Sequence, residues 1–399
     1  MSTVYLHIGT AKTGTTAIQR FLPLNQELLN EHGYTFPMMP FHFPRIGEGR
    51  NAHFLTTYYE EEPEIKKRWD EGFEAVKKAL AQCDKVILSD ENLWRVHGGE
   101  GFLEKVKSEF DKLGTTVKIV VYFRRQDHMA ESHWNQMVKG KPKLSQSFFE
   151  FITKGEYADF PLDYDKGADR LAEVFGKENL IIRVYEKGQF VRGDLFSDFL
   201  EAVGLPLDEA WKNPEHAVNT RLPENVVEIK RLINGVDSYR NPEVPNFFRE
   251  VIRNAYGLEM QKEIPVQKTG RFSDEARKKY MNHFEEGNTR VAGEYLNRAN
   301  TRLFEEPLTD IPRWEPDGWE MMKDVVRVLA GADVYHYTNN KELKKENKAQ
   351  RKRIDQLEKD LADASIRMAE QQKKLNELYN SALFRAYRAI RGRKPGKDE

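Results

Sequence analysis

At 399 residues the chain has room for one large domain with appendages and a sizeable core. Its 63 basic residues are balanced by 64 acidic ones, so no chain-wide field selects nucleic acid and any anion site must be local. The single cysteine, Cys83, excludes an internal disulfide, no run approaches the ~18 apolar residues of a membrane span, and no apolar leader precedes the first strand; the expectation is a soluble, cytoplasmic protein.

The stretch VYLHIGTAKTGTTAIQRFL, Val4 to Leu22, reads as strand, loop and helix. Gly9 and Gly14 allow a sharp turn and close approach of the backbone to an anion, the helix opening at Thr15 and Thr16 offers N–H groups and the positive end of its dipole, and Lys12 adds a full charge. A Walker A loop places its lysine directly after the second glycine. Here the lysine comes first, so the loop alone is either an anion cradle or a strand-to-helix turn with an exposed lysine.

The first helix is expected to end near His32-Gly33, with a short strand at Tyr34 to Phe36. Met38 to Asn51, rich in Pro, Gly, His and Arg, reads as a loop over the ligand edge of a sheet; Arg45, Arg50, Asn51 and His53 are either acceptor-binding groups or ordinary surface polar residues. A helix over Glu64 to Gln82 leads to Lys85 to Glu91, an apolar run that stops at polar residues, as a buried parallel strand does. Glu91 at its carboxyl end is a candidate general base or a helix-capping acid, while Asp90 is expected to point the other way.

After a helix at Gly101 to Leu113, Thr116 to Phe123 is the clearest strand in the chain. Arg124 leaves its carboxyl end and Ser132 follows eight residues later inside a helix, a fork and a hydroxyl suited to a phosphate. Arg125 and Asp127 read as helix-terminus charges, His128 and His133 as surface or packing residues, and Trp134 as core; Asn135 and Gln136 remain as acceptor-side contacts. Further on, helices are expected at Ser147 to Thr153, Asp165 to Phe175 and Asp194 to Val203, with a strand at Asn179 to Tyr185. Helices and polar loops fill Pro214 to Arg302, and Phe304 to Tyr337 reads as a packed irregular segment or edge.

Taken together, these motifs resemble those of sulfotransferases that use 3′-phosphoadenosine-5′-phosphosulfate (PAPS), in particular bacterial carbohydrate sulfotransferase-like proteins. The order Gly9, Lys12, Gly14, Thr15, Thr16 resembles the family's 5′-phosphosulfate loop, SDENLW its base-bearing strand end, and Arg124 with Ser132 its 3′-phosphate motif. Over residues 1 to 305 the likeness extends to IIRVYE…GDLFSDFLEAVGL and to SDEARKKYMNHFEEGNTRVAGEYLNR. Lys268-Thr269-Gly270-Arg271 is either the basic loop that closes over the 3′-phosphate side or an exposed turn. The resemblance implies a P-loop-like three-layer α/β fold with a parallel sheet flanked by helices. It also implies PAPS as co-substrate without a metal, Lys12 and Glu91 as catalytic groups, and Lys12, Thr13, Gly14, Thr15, Thr16, Arg124, Ser132 and Arg271 as nucleotide contacts, with sulfation of a hydroxyl on a carbohydrate. A kinase-like phosphotransferase using ATP and magnesium, and a non-catalytic scaffold with a degenerate nucleotide domain, are the alternatives.

Composition changes at Asn339, which divides the chain into a domain over 1–338, a coiled coil over 339–382 and a basic tail over 383–399. A heptad places Asn347, Ile354, Leu361, Met368, Leu375 and Ala382 at a, and Leu343, Gln350, Leu357, Ala364, Gln371 and Leu378 at d. Asparagine at a favours a parallel homodimer, with a solvated helix or antiparallel packing as alternatives. The basic amphipathic stretch Leu383 to Arg391 suits an anionic membrane surface or a partner, or is a frayed helix end.

Overall fold

The computed structural model describes residues 2–44, 46–57, 62–96, 99, 101–140, 142–154, 157, 160–208, 210–214, 222–241, 248–256, 269–309, 311–379 and 382–391. Arg45, Lys268 and residues 392–399, each part of a motif singled out above, lie outside them.

Five strands form one parallel sheet: β1 (Thr3–His7), β2 (Tyr34–Thr35), β3 (Lys85–Ser89), β4 (Thr116–Phe123) and β5 (Leu180–Val184), in the order β2-β3-β1-β4-β5. β1 lies at the centre, pairing Val4 with Val86 on one side and with Val117 on the other. The helices are α1 (Thr15–Leu24), α2 (Gln26–Glu31), α3 (Pro63–Leu80), α4 (Asn92–Val96), α5 (Phe102–Lys112), α6 (Gln126–Lys139), α7 (Phe148–Thr153), α8 (Tyr164–Phe175) and α9 (Leu195–Val203). They continue with α10 (Glu224–Asn234), α11 (Asp237–Arg240), α12 (Phe248–Tyr256), α13 (Asp274–Asn282), α14 (Glu285–Arg290), α15 (Gly318–Tyr379) and α16 (Ala382–Arg391).

Alternation along the strands explains the layers. Val4, Leu6, Val86, Leu88, Ile119 and Val121 turn to one face and pack with Val76 of α3, Phe110 of α5 and Leu171 of α8. Tyr5, Ile87, Val120 and Tyr122 turn to the other and pack with Ile18 and Phe21 of α1 and Phe199 of α9. With both faces covered the sheet reads as near-continuous apolar runs, as parallel strands must. A third cluster joins Met129 and Trp134 of α6 to Phe148, Val227 and Phe272. The expected α/β class, parallel sheet and flanking helices are all present.

Several boundaries differ from the sequence reading. The first helix breaks at Asn25, two residues after the internal Pro23, and the Asn25 amide is drawn off to the Lys212 backbone. The stretch expected to be irregular up to Tyr337 is helical from Gly318, because α15 runs on for 62 residues. Two compact units are present, one over Met1–Arg249 and Glu259–Val325, the other over Glu250–Leu258 and Val326–Glu399, so the division falls before Asn339. Among the described residues no helix is long and apolar enough to cross a membrane.

Three histidines are held neutral by burial. His7, fully enclosed on β1, is pushed down to about 4, with the Asp90 charge only partly opposing; His133 falls to about 4 and His128 to about 3 for the same leading reason. A folded-state pKa below the ordinary 6.5 means that the unfolded chain binds protons first. The resulting stability is present above about pH 6.5 and is lost as pH falls through about 4. His7 alone accounts for about 3 kcal/mol, at ~1.4 kcal/mol per pH unit. Asp127, held at about 2, adds its own loss only below that window. Denaturant unfolding is therefore expected to give a free energy lower by at least this amount at pH 4 than at pH 7, and equal values would refute the burial of neutral histidines.

Candidate functional site

The carboxyl ends of β3, β1 and β4 lie side by side, and each delivers one part of the site. The chain leaves the sheet in opposite directions from β1 and β4, which opens a crevice above their ends. The β1 strand feeds the loop from Ile8 to Gly14, which stays tied to β4: Ile8 N donates to Val120 O at 3.0 Å and Thr10 N to Tyr122 O at 3.0 Å. Inside the turn the Thr13 hydroxyl donates to Thr10 O at 2.5 Å. Lys12 sits at φ 63°, a conformation costing a lysine roughly 1–3 kcal/mol. Gly14 caps α1 at φ 77°, where a Cβ would lie 2.4 Å from Leu195 Cδ2, so any other residue would strain the backbone and push the Leu195 side chain aside.

The backbone N–H groups of residues 12–16 donate to no acceptor among the described residues, and the Gly14 cap has no side-chain bond. They are the unpaired donors that a helix start offers to an anion. Cations gather around them. Burial holds the Lys12 ammonium below its usual range, and the positive charges of Lys139 and Arg124 push the same way while Glu91 pulls back. Arg124, leaving β4, donates from Nη1 to Lys12 O at 2.7 Å, and its guanidinium stands 5.5 Å from the Tyr185 ring centroid. It too is depressed by burial. Desolvated cations facing one another are relieved by an incoming anion, which is the electrostatic content of this site.

Ser132 lies half-buried on α6, at the spacing that aligns it with Asn135 and Lys139 along one helix face. Lys139 is near enough for its charge to lower the Lys12 ammonium, so that face borders the loop. Asn135 Oδ1 is buried without a hydrogen-bond partner, an acceptor left open beside the same surface. Lys139 was missed by sequence reasoning, although its place two turns beyond Ser132 was a readable signal. His133 stands at 5.1–5.8 Å from the rings of Phe151, Tyr157 and Phe160 and is a packing residue. Trp134 is core, as expected.

At the end of β3 the two acids part. Asp90 is fully buried: Arg50 grips it from Nε at 2.9 Å and Nη2 at 2.7 Å, and His53 Nδ1 lies 2.9 Å away. Burial alone would raise this carboxyl, but the His53 and Arg50 hydrogen bonds outweigh it and hold it below the carboxylate range. Glu91 turns instead to the crevice, its side chain 21 % exposed. Its Oε2 accepts from Gln19 Nε2 at 3.2 Å, and its Oε1 lies 3.5 Å from Arg50 Nη1. A Cβ on Gly9 would be 3.1 Å from Glu91 Cα, so the acid and the anion loop are in direct contact. Gln19 and Arg50 together aim the carboxylate. Gln19 was overlooked, and its signal was a polar side chain on the buried face of α1 beside Ile18 and Phe21.

The loop after β2 is pinned by Asn51, whose amide donates to Pro37 O and Ile87 O at 3.1 Å and accepts from Ser89 N at 2.8 Å. Asn51 and His53 are therefore buried braces and neither surface polar groups nor free ligand donors. Above them a cavity of about 400 Å³ is lined by Met38, Met39, Phe41, Phe43, Ile46 and Phe54, with Arg50 also in its wall.

Arg271 departs from the expected nucleotide contact. Its guanidinium is sandwiched between the rings of Trp134 and Trp314, 4.6 and 4.3 Å from their centroids, and donates to Glu224 Oε2 at 2.7 Å. Its backbone N donates to Glu131 at 2.7 Å. With its charge committed, Arg271 ties α10 to α6 rather than offering a free cation. Arg125 and Asp127 are likewise more than helix-end charges: they pair at 2.8 Å, buried, and Arg277 joins them on Asp127. Among the described residues no group of three or more His, Cys, Asp or Glu is placed to hold a metal ion.

Comparisons with known proteins add little to this geometry. No family model matches the chain. An uncharacterized protein of Archaeoglobus fulgidus is 29 % identical over 192 residues, which are 47 % of this chain and 48 % of that protein, so the chain spans about half the length of the curated relative it matches. A crystal structure of a sulfotransferase from Alicyclobacillus acidocaldarius aligns with 58 % of this chain and 92 % of its own at 16 % identity, with a TM-score of 0.36. That likeness is too loose to carry a correspondence of residues.

Proposed function

We propose that this chain is a sulfotransferase that moves the sulfuryl group of PAPS to a hydroxyl on an acceptor of carbohydrate class. The observation that carries the reading is the convergence, on three adjacent strand ends, of open N–H groups with Lys12, Arg124 bound to the Lys12 carbonyl, and Glu91 packed against Gly9.

PAPS would supply the transferable sulfuryl group and two phosphate ends. The residues present fit it: the N–H groups of Thr13 to Thr16 with Lys12 suit the 5′-phosphosulfate, and Arg124 with Ser132 suits the 3′-phosphate. Glu91, aimed by Gln19 and Arg50, takes the proton of the acceptor hydroxyl. Lys12 and the loop amides stabilise negative charge that grows on the departing phosphate oxygen. Arg124 and Ser132 contribute position rather than chemistry. The acceptor would enter by the cavity beside Arg50, where Phe41 and Phe43 can stack on the C–H face of a sugar ring.

The test is thermal stabilisation by adenosine 3′,5′-bisphosphate compared with ATP and magnesium, since a ligand that binds only the folded state raises Tm. The expected result is a shift with the bisphosphate that exceeds that with magnesium-ATP. A shift with magnesium-ATP alone would move the assignment to a kinase-like phosphotransferase, and no shift with either would leave a scaffold.

A further inference from the structure

The second compact unit carries a long apolar stripe that the described residues of that unit leave exposed. Along α15 the large apolar residues at heptad positions from Leu343 to Leu378 are exposed, from 47 % at Leu343 to 70 % at Met368, and include Ile354, Leu357, Leu361 and Leu375. The helix is anchored in its unit by a different face. Val328 is buried, and a Cβ on Gly331 would lie 2.5 Å from the Val251 carbonyl of α12. In the heptad register of the stripe, extended back along the helix, Val328 falls at c and Gly331 at f, across the helix from a and d.

We propose that this stripe is closed by a second copy of the same chain, in a parallel, in-register coiled coil. The charges flanking the stripe choose the occupant and its direction. In a parallel pair each g residue faces the e residue five positions on in the other helix. Glu346 then meets Arg351 of the second copy and Arg353 meets Glu358, each twice by symmetry, and between Leu343 and Leu378 no like charges oppose. An antiparallel pair that sets Leu357 against Leu361 gains Glu346 opposite Lys374. It also places Arg353 opposite Arg367, Asp360 opposite its own copy and Glu358 opposite its own copy. The polar core positions add a second constraint: in the parallel register Asn347 and Gln350 each face an identical amide that can donate and accept in return, whereas the antiparallel register sets Gln350 against Met368. The partner recognised is therefore this chain itself.

Sedimentation of the full chain at micromolar concentration is expected to give twice the chain mass of 46.6 kDa. The double variant Leu357→Asp, Leu361→Asp should lose the dimer. Direction is read with Leu343→Cys and Leu378→Cys, made separately after Cys83→Ser. Mild oxidation should join each variant to itself, because a parallel register places identical residues together. A monomeric native chain, a trimer or larger assembly, a dimer that survives the double variant, or cross-linking only when the two cysteine variants are mixed would each overturn the proposal.

Discussion

Glu91→Gln is expected to lower sulfuryl transfer by about 10²–10⁴-fold, the usual contribution of a general base, while leaving the stabilisation by adenosine 3′,5′-bisphosphate unchanged. The amide keeps the shape of the side chain and can still meet Gln19 Nε2 with its oxygen, but it cannot take a proton. Because Glu91 meets the anion loop through packing against Gly9 and through its charge at Lys12, and the glutamine keeps the packing, the proposed nucleotide cradle should survive. The measurement is single-turnover transfer from PAPS beside a thermal shift with the bisphosphate. Retained turnover would remove Glu91 from the base role; joint loss of turnover and binding would make it a structural support of the loop. The neighbouring acid behaves differently: Asp90 is buried against Arg50 and His53, so its loss strands the Arg50 charge and costs stability before chemistry is reached.

Arg124→Ala is expected to remove most of the affinity for the bisphosphate. A hydrogen bond to a charged group is worth about 1.5–3 kcal/mol, which is roughly 10- to 150-fold in Kd per bond, and the planar fork can make two. The same change deletes the bond from Nη1 to Lys12 O at 2.7 Å, so the loop also loses a brace. Arg124→Lys separates these effects, keeping the charge without the fork, and should fall between the two. Calorimetric titration of the three proteins with the bisphosphate reads it. Equal affinities would place the second phosphate elsewhere, and Lys139, on the same face of α6 as Ser132, marks where to look next.

Much of this architecture was legible because it is local. Strand, loop and helix from Thr3 to Leu24 follow from consecutive residues, as do β4 and the departure of Arg124 from its end. The split between Asp90 and Glu91 was likewise readable, since successive side chains at a strand end point to opposite sides. The heptad of α15 is a period, and a period survives without any knowledge of neighbours.

What remained hidden depends on contacts between residues far apart in the chain. The clamp on Glu91 draws Gln19 and Arg50 each from more than forty positions upstream of it, and Asn51 reads as a loop polar residue until Pro37, Ile87 and Ser89 are brought around it. Arg271 shows the reverse error. In sequence it is a cation in a glycine turn, but two tryptophans and Glu224 arrive from other elements and use up its charge. By itself the amino-acid order determined most of the elements, the parallel α/β class and which residues are candidates to meet an anion, because backbone propensity and side-chain chemistry belong to each residue where it stands. Only the tertiary structure decided which of those charges stay available at the crevice. Availability depends on which partners a side chain meets and how much water it loses, and those are set by packing over the whole unit.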